Sequence, residues 1–581
     1  MDTPRPRGIV VFGGGTATNS LVDVFEDLRK SRHCTLSYII PISDNGGSSS
    51  ELIRVFGGPG IGDIRSRLVR LIPESDTDLG RASIKELFNH RLSPDPLQAR
   101  FEWLDIVEGR HMIWANVASE KRELIRSIFN LMNLEIVKRA RPSSVFNFSK
   151  ASIGNLFLTG ARVFTGSLES AIYLLSTICG IPPTVTTLPA INSNFTHHIS
   201  AGLADGSQIT GQNAISHPSA PTALPDDPAL TMGTGTGAGM DDRLQRETEA
   251  HDRIEDATLP GSLPSLRKQY INFSKGGPSS GGTTPKAGGK REDNSINKNK
   301  NNKNNVTNNA GSAANPGPSK PEEKEEYDEE QEAAATATAT ITTAAEAEEE
   351  AEEEEEQQED LPSRIERIWY INPYGHEIWP LANSKVVSAL EAASVVIYSV
   401  GSLYTSLVPS LVLRGVGAAI ASPPHPPSSS GSGSGSGSGS RSGSVVGSAA
   451  AVTRLRPKVL ILNSSVDRET GPMADPMTAT DFVKAIARAA AGEGKDGPGR
   501  GQVEMAVEVR RYVTHLIYME GEGVPKVRKE ELAALGVDCV RVYGRRVDGV
   551  LRYDEAGLAR ALEAVVGKHE VVRSRRNTSG Q

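Results

Sequence analysis

Ile9-Val10-Val11-Phe12-Gly13-Gly14-Gly15-Thr16-Ala17-Thr18 is the stretch that decides the fold. Four apolar residues, three β-branched and one aromatic, make a strand without a polar face, as a strand inside a parallel sheet must be. Three glycines then carry the chain straight into a helical pattern through Leu21, Val24, Phe25 and Leu28. Glycine lets backbone amides approach an anion closely, and a helix start adds roughly half a positive charge. No lysine follows, so this is not a Gly-Lys-Ser/Thr phosphate loop. It departs from Gly-x-Gly-x-x-Gly as well, because Thr18 stands at the third glycine. Read alone, the turn serves as an anion loop or as a tight connection.

Four further turns of the same kind lie along the chain. A second strand, Leu36 to Ile42, ends in Ser43-Asp44-Asn45-Gly46-Gly47-Ser48. Asp44 there can accept from a ribose hydroxyl or hold a cation, while Gly46, Gly47 and Ser48 offer amides and a hydroxyl to phosphate oxygens. A plain N-cap and turn is the alternative. Third comes Gly57-Gly58-Pro59-Gly60-Ile61-Gly62-Asp63-Ile64-Arg65, where the planar fork of Arg65 suits a phosphate. Otherwise Asp63 caps a helix and Arg65 pairs on its surface. Ser152-Ile153-Gly154-Asn155 and Ser399-Val400-Gly401-Ser402-Leu403-Tyr404-Thr405-Ser406 complete the set. Small-residue turns at successive strand ends are what a crevice along the carboxyl edge of an open sheet requires.

Strands alternate with helical patterns over much of the chain, which implies an α/β fold with a mainly parallel sheet covered on both faces. Two stretches interrupt it. Residues 217–361 run through Pro/Ala/Thr, Gly/Ser, Asn/Lys and Glu/Ala composition, and 422–451 hold a Gly-Ser repeat. Both lack the apolar residues that offset ordering entropy and are expected to be disordered insertions in one domain. That domain is then built from 1–216, 362–421 and 452–570, with a tail at 571–581.

The net charge of −8 conceals a partition. Glu322–Asp360 holds 19 acidic residues against one lysine, so the rest of the chain is basic on balance and suits an anionic ligand. No basic stripe interleaved with aromatics marks a nucleic-acid surface. Three separated cysteines, Cys34, Cys179 and Cys539, make no disulfide framework and fit a reducing, cytoplasmic setting. Val395–Leu413 is uncharged up to its end, but Gly401 and Pro409 make it a strand, loop and helix rather than a membrane span. No histidine spacing suggests a metal site, and His197-His198 is expected on a loop surface. No nucleophile elbow occurs in a strand–helix context.

Taken together, GGGTAT (13–18), SDNGGSSSELIRVFGGPGIGDIRSRLVRL (43–71), SIGNLFLTGAR (152–162), DGSQITGQNAISHP (205–218) and GSLYTSLVPSLVLRGV (401–416) resemble the 2-phospho-L-lactate transferase (CofD-like) family, which also includes the bacterial gluconeogenesis factor. HRLSPDPLQARFEWLDIVEGRHMIW (90–114) resembles its fungal and plant branch. The resemblance implies a Rossmann-like three-layer α/β/α fold. It also implies a phospholactyl-type transfer from a nucleotide diphosphate-linked donor with magnesium or, in the gluconeogenesis-factor branch, UDP-sugar binding by a regulator. Carried over, Gly13, Gly14, Gly15 and Thr16 would cradle the phosphates, and Asp44 would coordinate magnesium or the donor. Asp63 and Arg65 would border the pocket, Asn155 would contact phosphate or sugar, and Ser402 with Tyr404 would close the far side. Asn45 stands where many relatives carry a second aspartate, leaving Asp44 as the metal carboxylate of that turn.

Two functions of different class follow: a transferase working by positioning and charge neutralisation, with Asp44 and Asp63 as its catalytic carboxylates, or a non-catalytic UDP-sugar sensor. An NAD-dependent oxidoreductase fits less well without the third glycine. The expected partners are a nucleotide or nucleotide-sugar ligand, proteins reached through the acidic insertion, and further copies of the chain as a homo-oligomer. Neither nucleic acid nor membrane is expected.

Overall fold

In a computed structural model the described residues are 8–43, 46, 48–73, 79–141, 144–216, 360–422, 456–492, 508–547 and 549–577. The strands are β1 (Ile9–Phe12), β2 (Leu36–Ile40), β3 (Val185–Pro189), β4 (His198–Leu203), β5 (Gln208–Thr210), β6 (Ile365–Ile371) and β7 (Glu377–Ile378). They continue with β8 (Val395–Tyr398), β9 (Lys458–Ile461), β10 (His515–Tyr518), β11 (Asp538–Arg541), β12 (Gly544–Val547) and β13 (Val550–Tyr553).

Seven of them form one sheet in the order β11-β10-β9-β8-β1-β2-β3, with every pairing parallel. β1 is its middle: Ile9 is in register with Leu36 on one side and Val395 on the other. All four residues of β1, of β8 and of β9 are buried, the continuous burial of strands covered on both faces. Helices Val22–Arg32 and Glu555–Asn577 pack together, as do Ser384–Ala392, Val416–Ala421 and Ala479–Ala491. Because strands are added in opposite directions from β1 and β8, right-handed crossovers put the two helix groups on opposite faces. The sheet is Rossmann-like, as the sequence implied.

Four features go beyond the sequence reading. β5-β4-β6-β7 form a separate antiparallel sheet, and β12-β13 a hairpin. The last helix runs to Asn577, past 570. Leu361, placed in the first insertion by composition, is buried in the core. Of the two expected insertions, 217–359 and 423–451 lie outside the described residues.

The residues flanking 217–359 are held by a single loop. Arg468 Nε donates to the Ile215 carbonyl at 3.3 Å, and the Met473 amide donates to Asp360 Oδ2 at 3.0 Å. Replacing 217–359 by a Gly/Ser linker of about ten residues should therefore leave Tm within about 3 °C of the full chain, measured by calorimetry. Insoluble or broadly melting product would show that the stretch supports the fold.

Candidate functional site

The order of the main sheet reverses between β1 and β8, and that is where an open parallel sheet leaves a crevice beyond its carboxyl ends. Gly13-Gly14-Gly15 leaves β1 there, and Ser399-Val400-Gly401-Ser402 leaves β8. The two turns are tied together: Thr18 Oγ1 donates to the Val400 carbonyl at 2.9 Å, and the Ser399 amide to Phe12 at 3.0 Å. Asn463, just past β9, clamps the second turn, accepting from the Gly401 amide at 3.1 Å and donating to its carbonyl at 2.9 Å. Gly401 has φ +134°, a conformation open to glycine.

Gly14 and Gly15 are glycines for a different reason: other side chains fill the space a Cβ would need. A Cβ on Gly14 would lie 2.6 Å from Ser406 Oγ and 3.0 Å from Asp63 Oδ2, and one on Gly15 would lie 3.2 Å from Asp63 Cγ. The Gly13 amide donates to Ile39 at 3.3 Å, whereas the amides of Gly14 and Gly15 donate to no described group. Thr16 is exposed beside them. The dipole expectation needs correction. Only Thr16–Asn19 is helical after the turn, and the long helix starts afresh at Val22. Free amides, rather than a long helix dipole, are what the turn offers an anion.

Asp63 and Arg65 stand on one helix, Gly62–Arg70, and face different neighbours. Asp63 lies against Gly14 and Gly15. The Arg65 stem covers Gly154, where a Cβ would sit 2.7 Å from Arg65 Cγ, and its Nη1 donates to Asn89 Oδ1 at 3.3 Å. Asn155, 1% exposed, follows at the start of helix Ile153–Thr165, capped by Ser152. Gly46 abuts Asn213 of helix Gln212–Ser216, whose Oδ1 would be 2.7 Å from a Cβ there. Ser48 opens helix Ser48–Phe56. Asp44 and Gly47 lie outside the described residues.

The far turn differs from expectation in one respect. Tyr404 is 4% exposed, and its hydroxyl donates to the Ile365 carbonyl at 2.9 Å, tying the turn to β6. Its amide donates to Glu469 Oε2 at 2.8 Å, and the Thr405 amide to the same oxygen at 3.1 Å, while the Thr405 hydroxyl meets Oε1. Glu469 thus takes the amides at the start of the Leu403–Leu407 π-turn, leaving Ser402 and Ser406 as the partly exposed polar groups on the crevice side. Glu469, Asn463 and Asn213 were not singled out from the sequence, and Ser406 stood there only as the end of the fifth turn. A signal did exist for the first, since Asp467-Arg468-Glu469-Thr470 folds as a capping box after a strand.

His90, Glu102 and His111 come together from three elements, which linear spacing does not reveal. Among the described residues they are the one group of three potential ligands this close. Glu102 Oε1 lies 2.5 Å from His90 Nε2 and 3.9 Å from His111 Nε2. His111 Nδ1 accepts from the Ile113 amide at 3.2 Å, so its proton sits on Nε2 and faces the carboxylate. The three ligand atoms are close enough together to hold a metal ion, with Glu102 lying between the two histidines. His197 and His198 are half-buried rather than on an open loop, with His198 opening β4; burial lowers both pKa values.

Burial, followed by the neighbouring Asp467, pushes the Glu469 carboxyl up to about 8. A raised carboxyl stabilises the fold below its ordinary range, near 4.5, and that contribution is lost as pH climbs through about 8. Tm should therefore fall between about pH 5 and pH 8, and Glu469→Gln, which cannot ionise, should flatten the fall. An unchanged slope in calorimetry would remove Glu469 as its source.

No helix of the described residues is long and apolar enough to cross a membrane. The sequence model of the 2-phospho-L-lactate transferase CofD family matches residues 9–426. The chain is 33% identical over 520 residues to the uncharacterized protein YNL011C of Saccharomyces cerevisiae, covering 88% of this chain and 90% of that one. It is 28% identical over 211 residues to a putative gluconeogenesis factor of Nostoc, covering 36% of this chain and 32% of the relative. The crystal structure of protein BH3568 from Bacillus halodurans superposes with a TM-score of 0.46 at 16% identity, covering 96% of this chain and 99% of that one. With the family match spanning the glycine turn, Asp63, Asn155 and the β8 turn, the chain belongs to the CofD family.

Proposed function

We propose that the crevice between β1 and β8 binds a nucleotide diphosphate-linked donor and that the protein transfers a phosphoester group from it to an acceptor hydroxyl. The observation that carries this reading is the unspent amides of Gly14 and Gly15 beside the carboxylate of Asp63. In the transfer, the acceptor oxygen attacks the distal phosphorus, the bond to the bridging oxygen breaks, and the nucleoside monophosphate leaves. Such a displacement needs positioning and charge neutralisation, not a side-chain nucleophile. The amides would hold phosphate oxygens, Thr16 and Ser402 would flank them, and Asp63 is the described carboxylate able to accept the acceptor's proton.

A magnesium ion fits this arrangement, because magnesium takes one or two carboxylates together with substrate phosphates. Asp63 and Asp44 would hold it. When bound, it would neutralise phosphate charge. Arg65 and Asn155, on the Gly154 side, would contact the remainder of the donor.

The second reading is a UDP-sugar-binding regulator without transfer activity. Its support is the Nostoc relative's name and the internal capping of Tyr404 and Thr405 by Glu469, which withdraws those amides from a reacting group. Protein partners through the acidic stretch, and further copies of the chain, belong to this reading.

Thermal shift with UDP-N-acetylglucosamine, GDP, GTP and NAD, each with and without magnesium, separates the readings. Magnesium-dependent stabilisation by GDP favours transfer; metal-independent stabilisation by the UDP-sugar favours regulation. Gly15→Ala, which drives a methyl into Asp63, should abolish either response, and Asp44→Ala should abolish the magnesium-dependent one. Full ligand stabilisation in Gly15→Ala would place the nucleotide elsewhere.

A further inference from the structure

Directly behind the glycine turn lies a charge without a partner. Arg67 stands one helical turn beyond Asp63 and is 0% exposed. Its Nη2 donates to the Gly14 carbonyl at 2.8 Å, and its guanidinium lies 4.5 Å from the centroid of the Tyr38 ring on β2. Nε and Nη1 meet no hydrogen-bond partner, and among the described residues no carboxylate reaches ion-pair distance. After burial, the Tyr38 phenol and then the Asp63 carboxylate are what act on its charge. Burial brings its pKa down to about 10, so the group remains a cation at neutral pH.

Two other arginines of the fold are better matched. Arg70, one turn later, pairs with Asp23 at 2.5 Å. Arg456, also buried, donates to the carbonyls of Leu390, Ala419 and Ile420, closing two helix ends. Arg67 has one carbonyl and an aromatic face. A buried cation so poorly matched is expensive in the empty protein, because desolvation is not offset by an opposite charge. Its place explains what would offset it: an anion on the amides of Gly14 and Gly15, whose connecting carbonyl the arginine already grips.

We infer that Arg67 is the built-in countercharge for the phosphate group at the glycine turn, a positioning residue that holds Gly14 from behind and lends the turn the full positive charge its four-residue helix does not provide. This rests on the crevice being the phosphate site, as proposed above. The ligand class is then a di- or polyanionic phosphate, bound in preference to the matching nucleoside. The Gly14 carbonyl is hydrogen-bonded from inside, so its peptide cannot rotate that oxygen towards the anion. The cation strengthens as its surroundings lose water, since attraction grows as the local dielectric falls.

The test is isothermal titration of the full chain with UDP-N-acetylglucosamine, GDP, inorganic pyrophosphate and uridine, paired with calorimetry of the ligand-free protein. Arg67→Met keeps the volume and removes the charge. It should weaken phosphate-ligand binding about tenfold or more while leaving the ligand-free Tm unchanged or higher, since an unmatched buried charge is gone. Arg67→Lys should recover part of the affinity. A purely structural arginine would give the reverse: a lower ligand-free Tm and wild-type affinity in the folded fraction. Wild-type affinity in Arg67→Met overturns this inference alone. Failure of the wild-type chain to bind any of the three phosphate ligands would remove the crevice reading and this inference with it.

Discussion

Hydrogen bonding of β1 to β2 on one side and to β8 on the other is the constraint on which the rest depends. β1 and β2 are close in sequence, whereas β8 begins only at Val395, so the pairing brings turns from distant parts of the chain to one edge. A parallel ladder aligns strand ends, and the reversal of order at β1/β8 sends the crossovers to opposite faces, opening a crevice between the turns. The bond from Thr18 Oγ1 to Val400 fixes the separation of the two turns at that point.

Crowding then determines the chemistry of the turn. Asp63 and Ser406 press against Gly14 and Gly15 from two sides, so a side chain there would displace the groups that line the crevice. Gly401 is a glycine because of its backbone angle, and Gly154 because the Arg65 stem lies on it. Glycines at different turns therefore answer different physical demands, and only Gly401 among these four has positive φ. Arg67 behind the turn and Glu469 at the π-turn form an unusual pair: a buried cation and a buried carboxyl, each serving its own loop. Glu469 consumes amides at one turn, while the Gly14 and Gly15 amides at the other stay free.

Much of the α/β pattern was legible because apolar runs such as Ile9–Phe12 and Val395–Tyr398 have no polar face, and a strand of that kind has to be covered on both sides. The small antiparallel sheet was not recognised as separate. β4 and β6 are distant in sequence, and nothing local in Ile365–Ile371 says which strand it pairs with. Tyr404 reads as a site residue from its motif, yet its hydroxyl is spent on Ile365, a partner 39 positions away. Asp63 and Arg65, two residues apart, face different neighbours because alternate positions on a helix point in different directions.

The sequence by itself determined the class of fold, the glycine turns at strand ends and the family, since these depend on local composition, periodicity and motif order. Only the tertiary structure decided which amides remain available, which carboxylate faces the glycines, and that Arg67 and Glu469 are buried beside the turns. Those properties follow from desolvation and from hydrogen bonds between residues far apart in the chain, and neither is encoded in any one segment.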